Sequence, residues 1–187
     1  MSPVTHYLAG WLVANTTPLD RRERAAIVVA AIVPDVDGLG VVAEWLTRNT
    51  ERPLHWWSDY HHVLGHNLGF CLLVAAVGFG IARQRWTTAF LCLLSFHVHL
   101  LGDLAGGRGP DGERWPIPYL LPFSNDWHLA WSGQWALNAW PNFAITAAFI
   151  GLTLYLAVQR GFSPLEMFSR QADRVFVETL RRRFPGT

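Results

Sequence analysis

Five stretches of the chain alternate with polar segments and carry the apolar content expected of helices. Residues 4–14 form a short, mildly apolar stretch, and residues 22–33 contain a continuous Ala-Ile-Val run. Residues 63–82 run for twenty positions without a formal charge, residues 86–102 add seventeen more, and residues 143–158 make the fifth stretch. The last three approach the ~20 apolar residues that cross a bilayer. The first two could cross only with their flanking residues, or lie partly inside the protein. The pattern predicts an all-α, membrane-embedded bundle of about five helices over residues 1–160, closed by a tail over residues 161–187 that is not a separate domain.

The tail opens Ser163-Pro164-Leu165-Glu166, which reads as a capping box with proline at the first helical position. Leu165, Phe168, Ala172, Phe176 and Leu180 then recur at helical spacing, with Arg170, Arg174 and Arg181 to Arg183 among them. An amphipathic helix on an anionic inner leaflet fits, with packing against the bundle as the alternative.

Charge gives the bundle a direction. All fifteen basic residues are arginine, and if all five segments cross, eleven of them fall on one side: Arg21, Arg22 and Arg24, Arg83 and Arg85, Arg160, and five in the tail. The positive-inside rule makes that side cytoplasmic and the protein a multi-pass inner-membrane protein. Eight of the ten tryptophans (Trp45, Trp56, Trp57, Trp115, Trp127, Trp131, Trp135 and Trp140) belong to the other side, as an interfacial belt or as packing aromatics. Charged residues make up 16% of the 187-residue chain, against about 25% in soluble domains. A net charge of +1 gives no field that favours nucleic acid. Cys71 and Cys92 lie inside apolar runs and read as buried thiols. The N-terminus lacks the basic region of a secretory signal peptide. Residues 105–115 are rich in glycine and charge and read as a mobile loop.

The candidate chemistry gathers at the end of the segments away from the arginines. His99 and Asp103 are four apart, so on a helix they share a face and can address one ion. Pairing or metal binding would offset the cost of an ionised carboxylate in an apolar helix. His61, His62 and His66 cluster where the third segment opens. His62 and His66 pair if the helix has begun there, and His61 and His66 converge if His61 lies in the turn before it. Pro34 stops the second segment, and Asp35 and Asp37 follow in a turn. They read as ligands or as turn and cap residues. His6 sits near the start of the first segment and His128 in an aromatic loop, each a ligand or a surface histidine. His97 faces away from His99 on a helix, and His55 reads as interfacial.

Taken in order, His6, Pro34-Asp35-x-Asp37, His61-x4-His66, His99-x3-Asp103, and Trp115-Pro116 with Pro122-Phe123 resemble a known group over roughly residues 1–125. It is the bacterial inner-membrane metal-dependent hydrolase family, itself similar to zinc-dependent phospholipase C. That family's usual His-Arg-x-x-Thr-His-Ser appears here with His62 in place of the arginine and Asn67 in place of the serine. The segment after Asp103 is also glycine-rich, where the family has a threonine-containing turn.

The resemblance implies a hydrolase. The donor set suits one or two Zn²⁺, Mn²⁺ or Fe²⁺ ions. Asp35, Asp37, His66, His99 and Asp103 are the expected core ligands, with His61 and His6 completing the shell and His62 and His128 as further candidates. Asp35 or Asp37 is the expected catalytic base. The expected substrate is a lipid-like phosphate ester entering from the outer face. A metal-binding or transporting protein without catalysis, and a structural protein with a polar packing cluster, are the alternatives.

Overall fold

The computed structural model describes residues 1–109 and 112–184. Among these the protein is all-helical: α1 (Pro3–Ala14), α2 (Arg21–Ile32), α3 (Gly40–Thr47), α4 (Trp56–Tyr60), α5 (Leu68–Ile81), α6 (Arg85–Gly106), α7 (Trp140–Arg160) and α8 (Arg170–Arg183). Short 3-10 turns cover Val33–Leu39 and Pro164–Met167. Three stretches, Arg21–Thr47, Arg85–Gly106 and Trp140–Arg160, are long and apolar enough to cross a membrane, whereas α5 is shorter.

Local chemistry sets the helix starts. Ser2 caps α1 ahead of Pro3. Asp20 and Glu23 form a reciprocal capping box on α2. The second Glu23 oxygen accepts from Gln84 N at 2.6 Å and ties this end of α2 to the α5–α6 turn. Gly10 lets α1 approach α2 and α6 closely, because a Cβ there would lie 2.5 Å from the Ala31 side chain and 3.2 Å from Ser95 Oγ. Trp11, Ala14, Ile27, Val28, Ala30, Leu91 and Cys92 make the main core. Cys71, Phe96, Leu100 and Ile117 make a second, which brings the loop after α6 back over the α5–α6 pair.

Three expectations change. The third segment begins five residues later than predicted, at Leu68, because Asn67 Oδ1 caps Phe70 N at 2.9 Å. Residues 61–67 instead form an irregular turn, pressed so closely on the α2 end that a Cβ on Gly65 would sit 2.1 Å from the Pro34 carbonyl oxygen. His62 and His66 therefore do not share a helix face.

The tail helix also starts later, after Ser169. Ser163 caps only a 3-10 turn, and its backbone N–H donates to Asp173 at 2.7 Å rather than to Glu166. Glu166 is occupied elsewhere, by a bidentate bond to the buried Arg24 guanidinium at 2.7 and 2.9 Å. Asp173 and Val177 are the buried residues of α8, with Phe176 and Leu180 half-buried beside them. Ala172, expected on the apolar stripe, is exposed.

Finally, α3 and α4 were not foreseen. The loop expected over 105–115 begins inside α6, and its residues 110 and 111 lie outside the described residues. On either side of them the chain is tied down, by Gly109 N donating to Glu113 O at 3.0 Å and by an Arg108–Ala136 bridge.

Candidate metal centre

Four of the predicted residues converge. Proline at position 34 ends α2 and turns Asp35 inward, the turn before α5 delivers His66, and the last turns of α6 present His99 and Asp103 on one face. One donor atom from each of Asp35, His66, His99 and Asp103 lies within 4.8 Å of every other. His66 Nε2 is 3.1 Å from His99 Nε2, 3.4 Å from Asp103 Oδ2 and 3.9 Å from Asp35 Oδ1. His99 Nε2 is 2.9 Å from Asp103 Oδ2 and 3.7 Å from Asp35 Oδ1. A tetrahedral ion with bonds of about 2.0–2.1 Å sets its donors about 3.3 Å apart, in the middle of this range.

Hydrogen bonding on the far side of each ring decides what these nitrogens can do. His99 Nδ1 meets the Ala31 carbonyl at 2.7 Å, and a carbonyl only accepts, so the Nδ1 proton is spent there. His66 Nδ1 likewise donates to Asp37 Oδ2 at 3.1 Å. In the neutral imidazoles both Nε2 atoms then carry lone pairs, and they point at each other and at carboxylate oxygens. Asp103 Oδ2 and Asp35 Oδ2 are buried without a hydrogen-bond partner. Acceptors gathered this closely repel one another unless a proton on His66 or a metal cation sits among them, and the residues fit a divalent metal ion. Titration of His66 points the same way. Burial lowers its pKa, but hydrogen bonds to Asp103 and Asp37 outweigh burial and raise it to about 9, drawing a positive charge to the same spot.

The other predicted ligands touch the four rather than join them. Asp37 accepts from His66, from His61 Nδ1 at 3.0 Å and from Gly65 N at 2.9 Å, so both its oxygens are used. His61 thus meets Asp37 and stacks on Trp57 at 3.9 Å between ring centres. His6 donates from Nε2 to Asp103 Oδ1 at 3.0 Å and stacks on His99 at 3.8 Å, and the Met1 amino group meets the same oxygen.

His62 has φ +66°, a left-handed conformation that side chains with a Cβ rarely hold. It is buried with Nδ1 unpartnered, and burial followed by the His66 charge keeps its pKa well below the usual histidine value. His128 is exposed and is not one of the four donors. His97 lies outside the cluster, bonded to Leu93 O and Tyr119 Oη at 2.7 and 2.8 Å.

A cavity of about 380 Å³ opens on Asp35 and Asp103 between His61, His62, Trp57 and Trp115. A second, of about 680 Å³, shares His61, His62, Trp57 and Trp115 and reaches His128. Two of the tryptophans read as belt or packing aromatics, Trp57 and Trp115, are walls of the site.

Two supporting residues went unread in the sequence. Gln134 donates to the Asp103 carbonyl at 2.7 Å. Asn142 donates to the Gly106 and Leu137 carbonyls at 2.9 and 2.7 Å and accepts from Trp135 Nε1 at 2.9 Å. Together they hold residues 134–142 against the end of α6. Asn142 carried a signal, since an amide in the first turn of an apolar helix is costly unless it is bonded.

The family model of the YdjM inner membrane proteins matches residues 1–174. The chain belongs to this family. The match runs beyond the expected 1–125 to include α7 and the first turn of α8. It makes this YdjM-family chain an inner-membrane protein, in agreement with its long apolar helices. No curated protein and no solved structure matches it.

Proposed function

We propose that this protein is a multi-pass membrane metal-dependent hydrolase, acting on phosphate esters of a lipid-like substrate at the outer face of the inner membrane. The observation that carries the reading is the convergence of donor atoms from Asp35, His66, His99 and Asp103, of which Asp35 and Asp103 line a cavity. The donor set favours zinc, with manganese and iron as alternatives, and its size favours a single ion.

A divalent ion held there supplies Lewis-acid chemistry, drawing charge from an ester oxygen and making water a better nucleophile. The chain's own groups do the rest. Asp35 lines the cavity and keeps Oδ2 unpartnered, so it is the better placed of the two aspartates to take a proton from water. Asp37, with three donors on it, orients His66 and His61. His62, Trp57 and Trp115 wall the cavity over the donors.

Beside the mouth, Val41, Val42, Trp45 and Leu46 of α3 are exposed, an apolar approach suited to a lipid. The outer-face placement rests on the arginines, which collect at the opposite helix ends.

Metal analysis of detergent-purified protein tests the reading. About one zinc per chain is expected, lost in His66→Ala and in His99→Ala. Hydrolysis of bis(p-nitrophenyl) phosphate or short-chain phosphatidylcholine should stop on chelation and return with zinc. Less than one transition metal per chain with the site intact ends the proposal.

A further inference from the structure

The opposite end of the bundle carries a second feature that the hydrolase reading does not use. Arg21, Arg22, Arg83 and Arg170 line a cavity of about 630 Å³ where the start of α2, the α5–α6 turn and the start of α8 meet. Asp20 is the one carboxylate among its lining residues, and its Oδ1 already accepts from Arg22 N and Glu23 N at 2.8 and 3.0 Å as the α2 cap. Arg21 donates to the Met167 carbonyl at 3.1 Å. Among the described residues, no carboxylate pairs with Arg22, Arg83 or Arg170, and all three are exposed. Guanidinium groups present forked donors that match phosphate oxygens.

An apolar groove continues from this pocket. Arg22 and Ala25 line both. The groove, about 580 Å³, runs between Ala25 and Val29 of α2, with Val33 of the turn after it, and Leu73, Val77 and Ile81 of α5. From Ala25 to the end of α2 it follows the helix for about 10 Å, at roughly 1.5 Å per residue. A basic pocket leading into an apolar groove matches a molecule with an anionic head and a hydrocarbon tail. A zwitterionic head would bring a cation to a pocket lined by four guanidinium groups against one carboxylate.

We propose that the pocket and groove form a binding site for one anionic diacyl phospholipid, its phosphate among Arg22, Arg83 and Arg170 and one acyl chain between α2 and α5. The site lies at the arginine end of α2 and is independent of the donor cluster at the other end.

Native mass spectrometry of the full chain, with phosphatidylglycerol and phosphatidylcholine of matched chains, tests it, with inorganic phosphate as a third arm. One phosphatidylglycerol retained per chain, and a rise in melting temperature with that lipid alone, are expected. Arg22→Gln with Arg83→Gln should weaken retention by about tenfold or more. Val77→Trp, which fills the groove, should weaken it as well. Both variants should melt in phosphatidylcholine micelles as the parent does. If the double variant does not fold, the exposed Arg170→Gln alone carries the test and should lower retention. Equal retention of both lipids, or equal stabilisation by inorganic phosphate, overturns the proposal. So does unchanged retention in the folded variants.

Discussion

Replacing Asp37 by Asn separates a residue that positions a ligand from one that binds the ion. The Asp37 side chain is 2% exposed, and its two oxygens receive three hydrogen bonds at 2.9–3.1 Å, from Gly65 N, His61 and His66. Asparagine keeps the shape but exchanges one acceptor for a donor. If the amide oxygen keeps Gly65 and His66, the NH₂ group faces His61 Nδ1, which must change tautomer. In either orientation the negative charge that holds the His66 Nδ1 proton is gone, and the Nε2 lone pair becomes less basic.

Loss of such a partner weakens metal affinity about 10–100-fold, or about 1.4–2.8 kcal/mol. Competition with a chromophoric zinc chelator in detergent measures this, and thermal unfolding of the metal-free protein controls for folding. Unchanged affinity in a folded Asp37→Asn protein would refute the supporting role. A loss as complete as that of His66→Ala would make Asp37 a direct ligand.

Two further outcomes follow from the same geometry. His66, in the turn before α5, has its pKa raised to about 9 without a cation, so near neutral pH a metal must displace its proton. Zinc affinity should therefore rise with pH, by up to about tenfold per unit, and level off above that pKa; a flat profile by chelator competition between pH 6 and 8 would contradict it. Glu166→Ala leaves the Arg24 guanidinium, whose side chain is 10% exposed, without its bidentate partner. A loss of about 3–5 kcal/mol is expected in chemical unfolding, much reduced when Arg24→Met is added, because no buried charge then remains.

Much of this architecture can be read from hydrophobic pattern and charge. The apolar runs locate α1, α2, α6 and α7 to within a few residues, and His99 and Asp103 do share a helix face. What escapes is decided by partners distant in the chain. The capping box at Ser163 fails because Glu166 is taken by an arginine 142 positions earlier. The start of α5 is set by one asparagine cap inside an unbroken apolar run. Helices α3 and α4 hide because neither buries a residue, so neither leaves a one-sided stripe. Seven candidate ligands stand out by type and order, yet their division into four donors and three supports depends on which ring nitrogen meets which acceptor, and spacing carries no trace of that.

The division does have a structural origin in the way α2 ends. The last four carbonyls of a helix have no partner within it. Pro34 has no N–H and could not have continued the ladder. The Ala31 carbonyl, in the last turn of α2, therefore needs a donor from elsewhere, and His99 Nδ1 provides it at 2.7 Å. That one bond satisfies a buried carbonyl and fixes the tautomer that turns a lone pair towards Asp103. The same break swings Asp35 into the cluster and sends Asp37 back onto His66. A continuous helix through residue 34 would place the two aspartates about 200° apart around its axis, at 3.6 residues per turn, and only one could reach the site. Ending the helix lets one aspartate bind while its neighbour orients a histidine.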